Sequence, residues 1–79
     1  MNVAEQLEIA DLIREIRSRL GLTQEKFAHH LGVTYLTVSR WENGRTSPSP
    51  MALKLIEGVL QRMGDRGSDL LVKYFPGEG

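Results

Sequence analysis

Apolar residues in this chain recur three and four positions apart, and each run of them is cut short by a glycine, at Gly21, Gly32, Gly44 and Gly64. That spacing gathers side chains on one face of a helix, whereas a half-buried strand needs strict alternation, which is nearly absent. The expected fold is therefore all-α. Ile9, Leu12, Ile13, Ile16 and Leu20 form the first stripe, entered through a capping box from Asn2 to Glu5 and stopped by Gly21. Thr23 caps a second, shorter helix, with Glu25 in its first turn and Phe27, Ala28 and Leu31 inward. Only Val33 separates Gly32 from the next cap, Thr34. The third helix is predicted to run to about Asn43, with Val38 and Trp41 in the core.

The stretch from Arg45 to Pro50 holds two prolines and two serines and reads as a loop. Ser49 caps the fourth helix and Pro50 suits its first position, with the body from Met51 to Met63 turning Leu53, Ile56, Leu60 and Met63 inward. A short fifth helix is expected from about Asp69 to Phe75, capped by Ser68 and stopped before Pro76. Residues 1–75 read as a single domain, and 76–79 as a frayed tail.

Composition narrows the function classes. A chain of 79 residues buries only about 60–65% of its unfolded surface. Its core is thin, with little room for a catalytic cavity. There is no cysteine, so disulfides and thiolate metal sites are excluded. The two histidines, His29 and His30, are adjacent and point roughly 100° apart on a helix, so they cannot grip one ion together. No nucleophile has a base and an orienting group at hand, and no glycine loop suits a phosphate. An enzyme, a metal and a cofactor are all unexpected. No basic segment precedes an apolar run at the start, and no run of about 18 apolar residues exists, so a soluble cytoplasmic chain is expected. Ten basic and ten acidic residues cancel; from Gly21 to Pro50 the balance is Lys26, Arg40 and Arg45 against Glu25 and Glu42.

The segment with the most functional content is TQEKFAHHLGVTYLTVSRWEN, residues 23–43. Two short helices joined through a glycine turn cross steeply. Ala28 is small enough for the close contact, Gly32 tolerates the positive φ of the turn, and Val38 and Trp41 close the corner. The third helix is then left projecting, and a projecting amphipathic helix fits the major groove of DNA, about 12 Å wide.

These residues resemble the phage-repressor (Cro/CI, xenobiotic-response-element) helix-turn-helix family. LTQEKFAHHLGV and TVSRWENG carry the likeness, which extends from about Ile9 to Leu60, with Ala28, Gly32, Val38 and Trp41 at the four steric positions of the motif. The resemblance implies a compact bundle of four or five short helices, a lambda-repressor-like DNA-binding domain acting as a transcriptional regulator, most simply a repressor by occupancy. It implies phosphate contacts from Gln24 and Thr34, base-edge contacts from Tyr35, Leu36, Thr37 and Arg40, and backbone contacts from Asn43 and Arg45. Arg40 is the strongest base-reading candidate, because a guanidinium bonds guanine O6 and N7 together. Leu36 departs from the polar residue common at its position and is limited to a thymine methyl or a sugar. The alternative is a DNA-binding antitoxin that also neutralises a toxin partner. One module buries on the order of 600–1,000 Å² on DNA, too little for tight specific binding, so a homodimer is expected. Leu70, Leu71, Tyr74 and Phe75 are candidates for its apolar contact.

Overall fold

The computed structural model describes residues 3–76, and it contains five α-helices and no strand among them. The helices fall into two compact units, one reaching to Pro48 and the other starting at Ser49.

In the first unit, α1 (Val3–Leu20), α2 (Gln24–Leu31) and α3 (Tyr35–Glu42) follow one another through short turns, and α3 packs against both α1 and α2. The stripe expected on α1 is buried at its centre, Leu12, Ile13 and Ile16, while Ile9 and Leu20 are half-buried at its margins. Ala10, which lies off that stripe, is buried as well. The Asn2 end of the capping box lies outside the described residues. Thr23 caps α2 by accepting a hydrogen bond from the Lys26 amide at 3.1 Å. Phe27, Ala28 and Leu31 are buried as expected.

The turn between α2 and α3 is where the chain direction is decided. Gly32 sits at φ 78°, ψ 28°, its N–H donating to His29 O at 3.2 Å and the following Val33 N–H to Ala28 O at 3.0 Å. Those two bonds satisfy carbonyls that the helix end would otherwise leave open. A Cβ on Gly32 would meet nothing within 4 Å, so the demand for glycine is conformational and not steric. Gly32→Ala should therefore cost about 1–2 kcal/mol, the left-handed penalty alone. In thermal unfolding that is a fall in Tm on the order of 4–15 °C; an unchanged Tm would show that the turn relaxes without penalty.

In the second unit, Ser49 caps α4 (Pro50–Arg62) through the Ala52 amide at 3.1 Å, with Pro50 in the first turn. Ala52, Ile56, Val59 and Leu60 are buried, whereas Leu53 and Met63, both expected inward, are only half-buried. Met63 is the cap after the last helical residue, where a side chain no longer follows the helical stripe. A 3-10 turn (Gly64–Arg66) leads to α5 (Ser68–Tyr74). The expected Ser68 cap is corrected: Gly67 occupies that position, no side chain caps it, and the Ser68 hydroxyl donates back to Asp65 O at 3.2 Å. Gly67 is needed for closeness, since a Cβ there would lie 2.5 Å from the Leu60 carbonyl oxygen. That approach seats α5 on α4, and it buries Leu70, which the sequence offered as free for a partner. No helix among the described residues is long and apolar enough to cross a membrane.

Candidate nucleic-acid interface

Thr34 begins α3 by the same device as Thr23 begins α2. Its Oγ1 accepts from the Thr37 amide at 3.1 Å and shares a 2.8 Å hydrogen bond with the Thr37 hydroxyl. Both hydroxyls are thus held at the helix start, where the first N–H groups have no intrahelical acceptor and the dipole is positive. Eight residues follow with a two-sided pattern. Val38, Trp41 and Glu42 are buried; Leu36 and Arg40, one turn apart on the opposite side, are exposed. Tyr35, at the edge between them, is half exposed to solvent at 51% and Leu36 at 52%.

At the far end, the Arg45 N–H donates to Arg40 O at 2.9 Å and the Gly44 N–H to Trp41 O at 3.1 Å. The chain is thereby folded back over the end of α3, and Arg45 and Asn43 emerge beside Arg40, all three exposed. Asn43 Nδ2 lies 3.5 Å from Ser39 Oγ, at the limit of a hydrogen bond. Thr34, Tyr35, Leu36, Arg40, Asn43 and Arg45 therefore share accessible positions along or beside one short helix, with Thr37 half-buried among them.

Gln24 stands apart from this group in what holds it. It is half-buried, and its Nε2 donates to Glu42 Oε1 at 3.1 Å. Glu42 also accepts from Arg17 Nε at 2.6 Å and Arg17 Nη2 at 2.9 Å, while Arg17 Nη1 donates to Leu22 O at 3.0 Å. Arg14 Nη2 donates to the Glu42 carbonyl. One buried carboxylate thus ties α1, the start of α2 and the end of α3 together. Burial by itself pushes the Glu42 carboxyl up, but the hydrogen bonds from Arg17 and Gln24 and the charges of Arg17 and Arg14 outweigh it, leaving the pKa below its ordinary value. The hydrogen bond to Glu42 raises Arg17 in turn, against the lowering effect of its own burial. Sequence reading missed this cluster. Its members are 25 and 18 positions apart, and no local pattern pairs them.

His29 and His30 are both exposed, and no group of three or more metal-ligating side chains occurs among the described residues.

A family model described as helix-turn-helix matches residues 13–62, well over half of the chain. An HTH-type transcriptional regulator of Methanothermobacter thermautotrophicus, itself uncharacterised, is 49% identical over 51 residues, covering 65% of this chain and 74% of that protein. A second uncharacterised HTH-type regulator, from Bacillus subtilis, is 39% identical over 54 residues, covering 67% and 82%. A type II methyltransferase of Shigella sonnei is 43% identical over 51 residues, which is 61% of this chain and only 14% of the methyltransferase. No solved structure matches.

Proposed function

The chain belongs to the helix-turn-helix family of the Cro/CI type, and from that premise we propose that it is a cytoplasmic regulator that binds specific double-stranded DNA with α3 in the major groove. The observation that carries this reading is the division of α3. Val38 and Trp41 are sunk in the core, and Leu36 and Arg40 stand on the opposite side with Tyr35 beside them.

In this reading Arg40 bonds a guanine edge, and Tyr35, Leu36 and Thr37 meet neighbouring bases or sugars. Thr34, at the helix start, and Asn43 and Arg45, at its end, hold the flanking phosphates. Gln24 reaches a phosphate with its second amide proton, since the first is committed to Glu42. Thr37 is likewise pre-set by its bond to Thr34. With ten positive charges against ten negative, one copy gains little from the general attraction to DNA. Two copies on half-sites about 34 Å apart supply the missing contact, so the regulator acts as a homodimer and represses by occupying its operator.

Selection of bound sequences from random duplex DNA tests this. The parent chain should enrich a palindrome. Arg40→Ala should relax preference at one base pair in each half-site, a loss of about 1–3 kcal/mol per contact. No enrichment at low salt would overturn the proposal.

A further inference from the structure

Outside the α3 surface, the second unit carries a groove of roughly 230 Å³ lined by Pro50, Leu53, Lys54, Glu57 and Phe75. Three of its walls are apolar. The other two, Lys54 and Glu57, carry opposite charges and stand three residues apart, just under one turn, on the same helix. Glu57 is 6% exposed, and its Oε2 is buried with no hydrogen-bond partner. Lys54 is exposed and makes no ion pair among the described residues. A buried carboxylate without a cation is costly, and it is the kind of group a native surface leaves open for a partner.

We infer that this groove is where a second copy of the chain docks, α4 lying antiparallel against α4 about a two-fold axis at the level midway between Lys54 and Glu57, on the groove side of the helix. The inference rests on the homodimer proposed above and names its surface. The argument is self-complementarity. Around such an axis Lys54 of one copy faces Glu57 of the other, and the pairing occurs twice, because an isologous contact repeats every residue pair. The groove supplies both halves of the ion pair from one sequence, and its apolar walls, Leu53 and Phe75 chief among them, are covered by the same docking. A partner of another kind would have to bring the cation that Lys54 already provides.

Sedimentation equilibrium of the full chain without DNA tests the inference, with circular dichroism to check folding. The parent should dimerise, more weakly as salt rises. Lys54→Glu alters an exposed residue, so it should fold normally while setting like charges against each other at both contacts. Its self-association should weaken by roughly 10- to 100-fold. Adding Glu57→Lys should restore the dimer. Because a lysine at the buried position threatens folding, disulfide trapping supplies an independent arm in a chain that has no cysteine of its own. Chains carrying Lys54→Cys should crosslink to chains carrying Glu57→Cys, and neither should crosslink to itself. A Lys54→Glu dimer as tight as the parent, or no crosslink in the mixture, overturns this surface and leaves a homodimer formed elsewhere. A parent chain that is monomeric at every concentration and binds DNA one copy per half-site overturns the homodimer as well, and points to a groove filled by another protein or a small organic cation.

Discussion

Arg17→Met is expected to lower the free energy of unfolding by about 3 kcal/mol, the low end of the range for stranding one half of a buried ion pair. For a chain of 79 residues the whole stability is on the order of 4–12 kcal/mol, so this is a large share. The reason lies in the asymmetry of the pair. The Glu42 side chain is 4% exposed and that of Arg17 is 25% exposed. Without Arg17 the carboxylate keeps the Gln24 amide and the more distant charge of Arg14, but it has no cation bonded to it and no route to water. Without Glu42, by contrast, the arginine turns outward, and Glu42→Gln should cost clearly less. In urea the midpoint of Arg17→Met should fall with little change in slope. A loss below about 1 kcal/mol would mean that solvent already screens the pair, as at an ordinary surface site.

The same pair makes that loss depend on pH. The Glu42 carboxyl is held below its ordinary value in the folded state, so its contribution is complete above the unfolded pKa and disappears as pH falls through the lower folded one. Arg17 is shifted the other way, upward from its ordinary value, chiefly by its hydrogen bond to Glu42; its contribution is present throughout the neutral range and is lost only in strong alkali. In Arg17→Met the bonds that lowered Glu42 are mostly gone and burial, which favours the neutral acid, is left. The difference between parent and variant should therefore shrink as the solution is acidified below the ordinary glutamate range.

What was legible in the sequence and what was not divides along the range of the interactions. The capping threonines, the glycine turn and the alternation of buried and exposed positions on α3 are each set within four residues, and Thr23, Gly32, Thr34, Val38 and Trp41 all stand as their spacing predicts. Ser68 shows the limit of that logic. It has the chemistry of a cap, but the close approach of Gly67 to Leu60 moves the helix start back by one residue and turns the hydroxyl toward Asp65. Leu70 fails for a related reason: four-helix spacing leaves it spare on paper, and the same close approach folds it inward. Glu42 reads in the sequence as the acidic residue of a helix end, yet its carboxylate joins α1, through Arg17, and the start of α2, through Gln24, to the end of α3. Tertiary pairing of that kind has no signature in a single sequence. For the candidate interface, the accessible positions of α3 followed from Val38 and Trp41 being core; the engagement of Gln24 by Glu42 did not.

Trp41→Ala is expected to cost about 3–5 kcal/mol through the cavity it leaves, enough to bring a chain of this size close to unfolding. Trp41 is 4% exposed and lies beside Val38, which is fully buried. Its neighbour Arg40 is exposed, and Arg40→Ala should leave stability within about 0.5 kcal/mol of the parent. The two substitutions are adjacent in sequence and should fail in different assays. Trp41→Ala should lower Tm on the order of 15–30 °C, and DNA binding should return in proportion to the folded fraction as the temperature is reduced. Arg40→Ala should melt like the parent and show the relaxed preference at one base pair in each half-site at every temperature. If Trp41→Ala melted within a few degrees of the parent and still failed to bind, the indole would belong to the recognition surface, and the assignment of the two faces of α3 would be reversed.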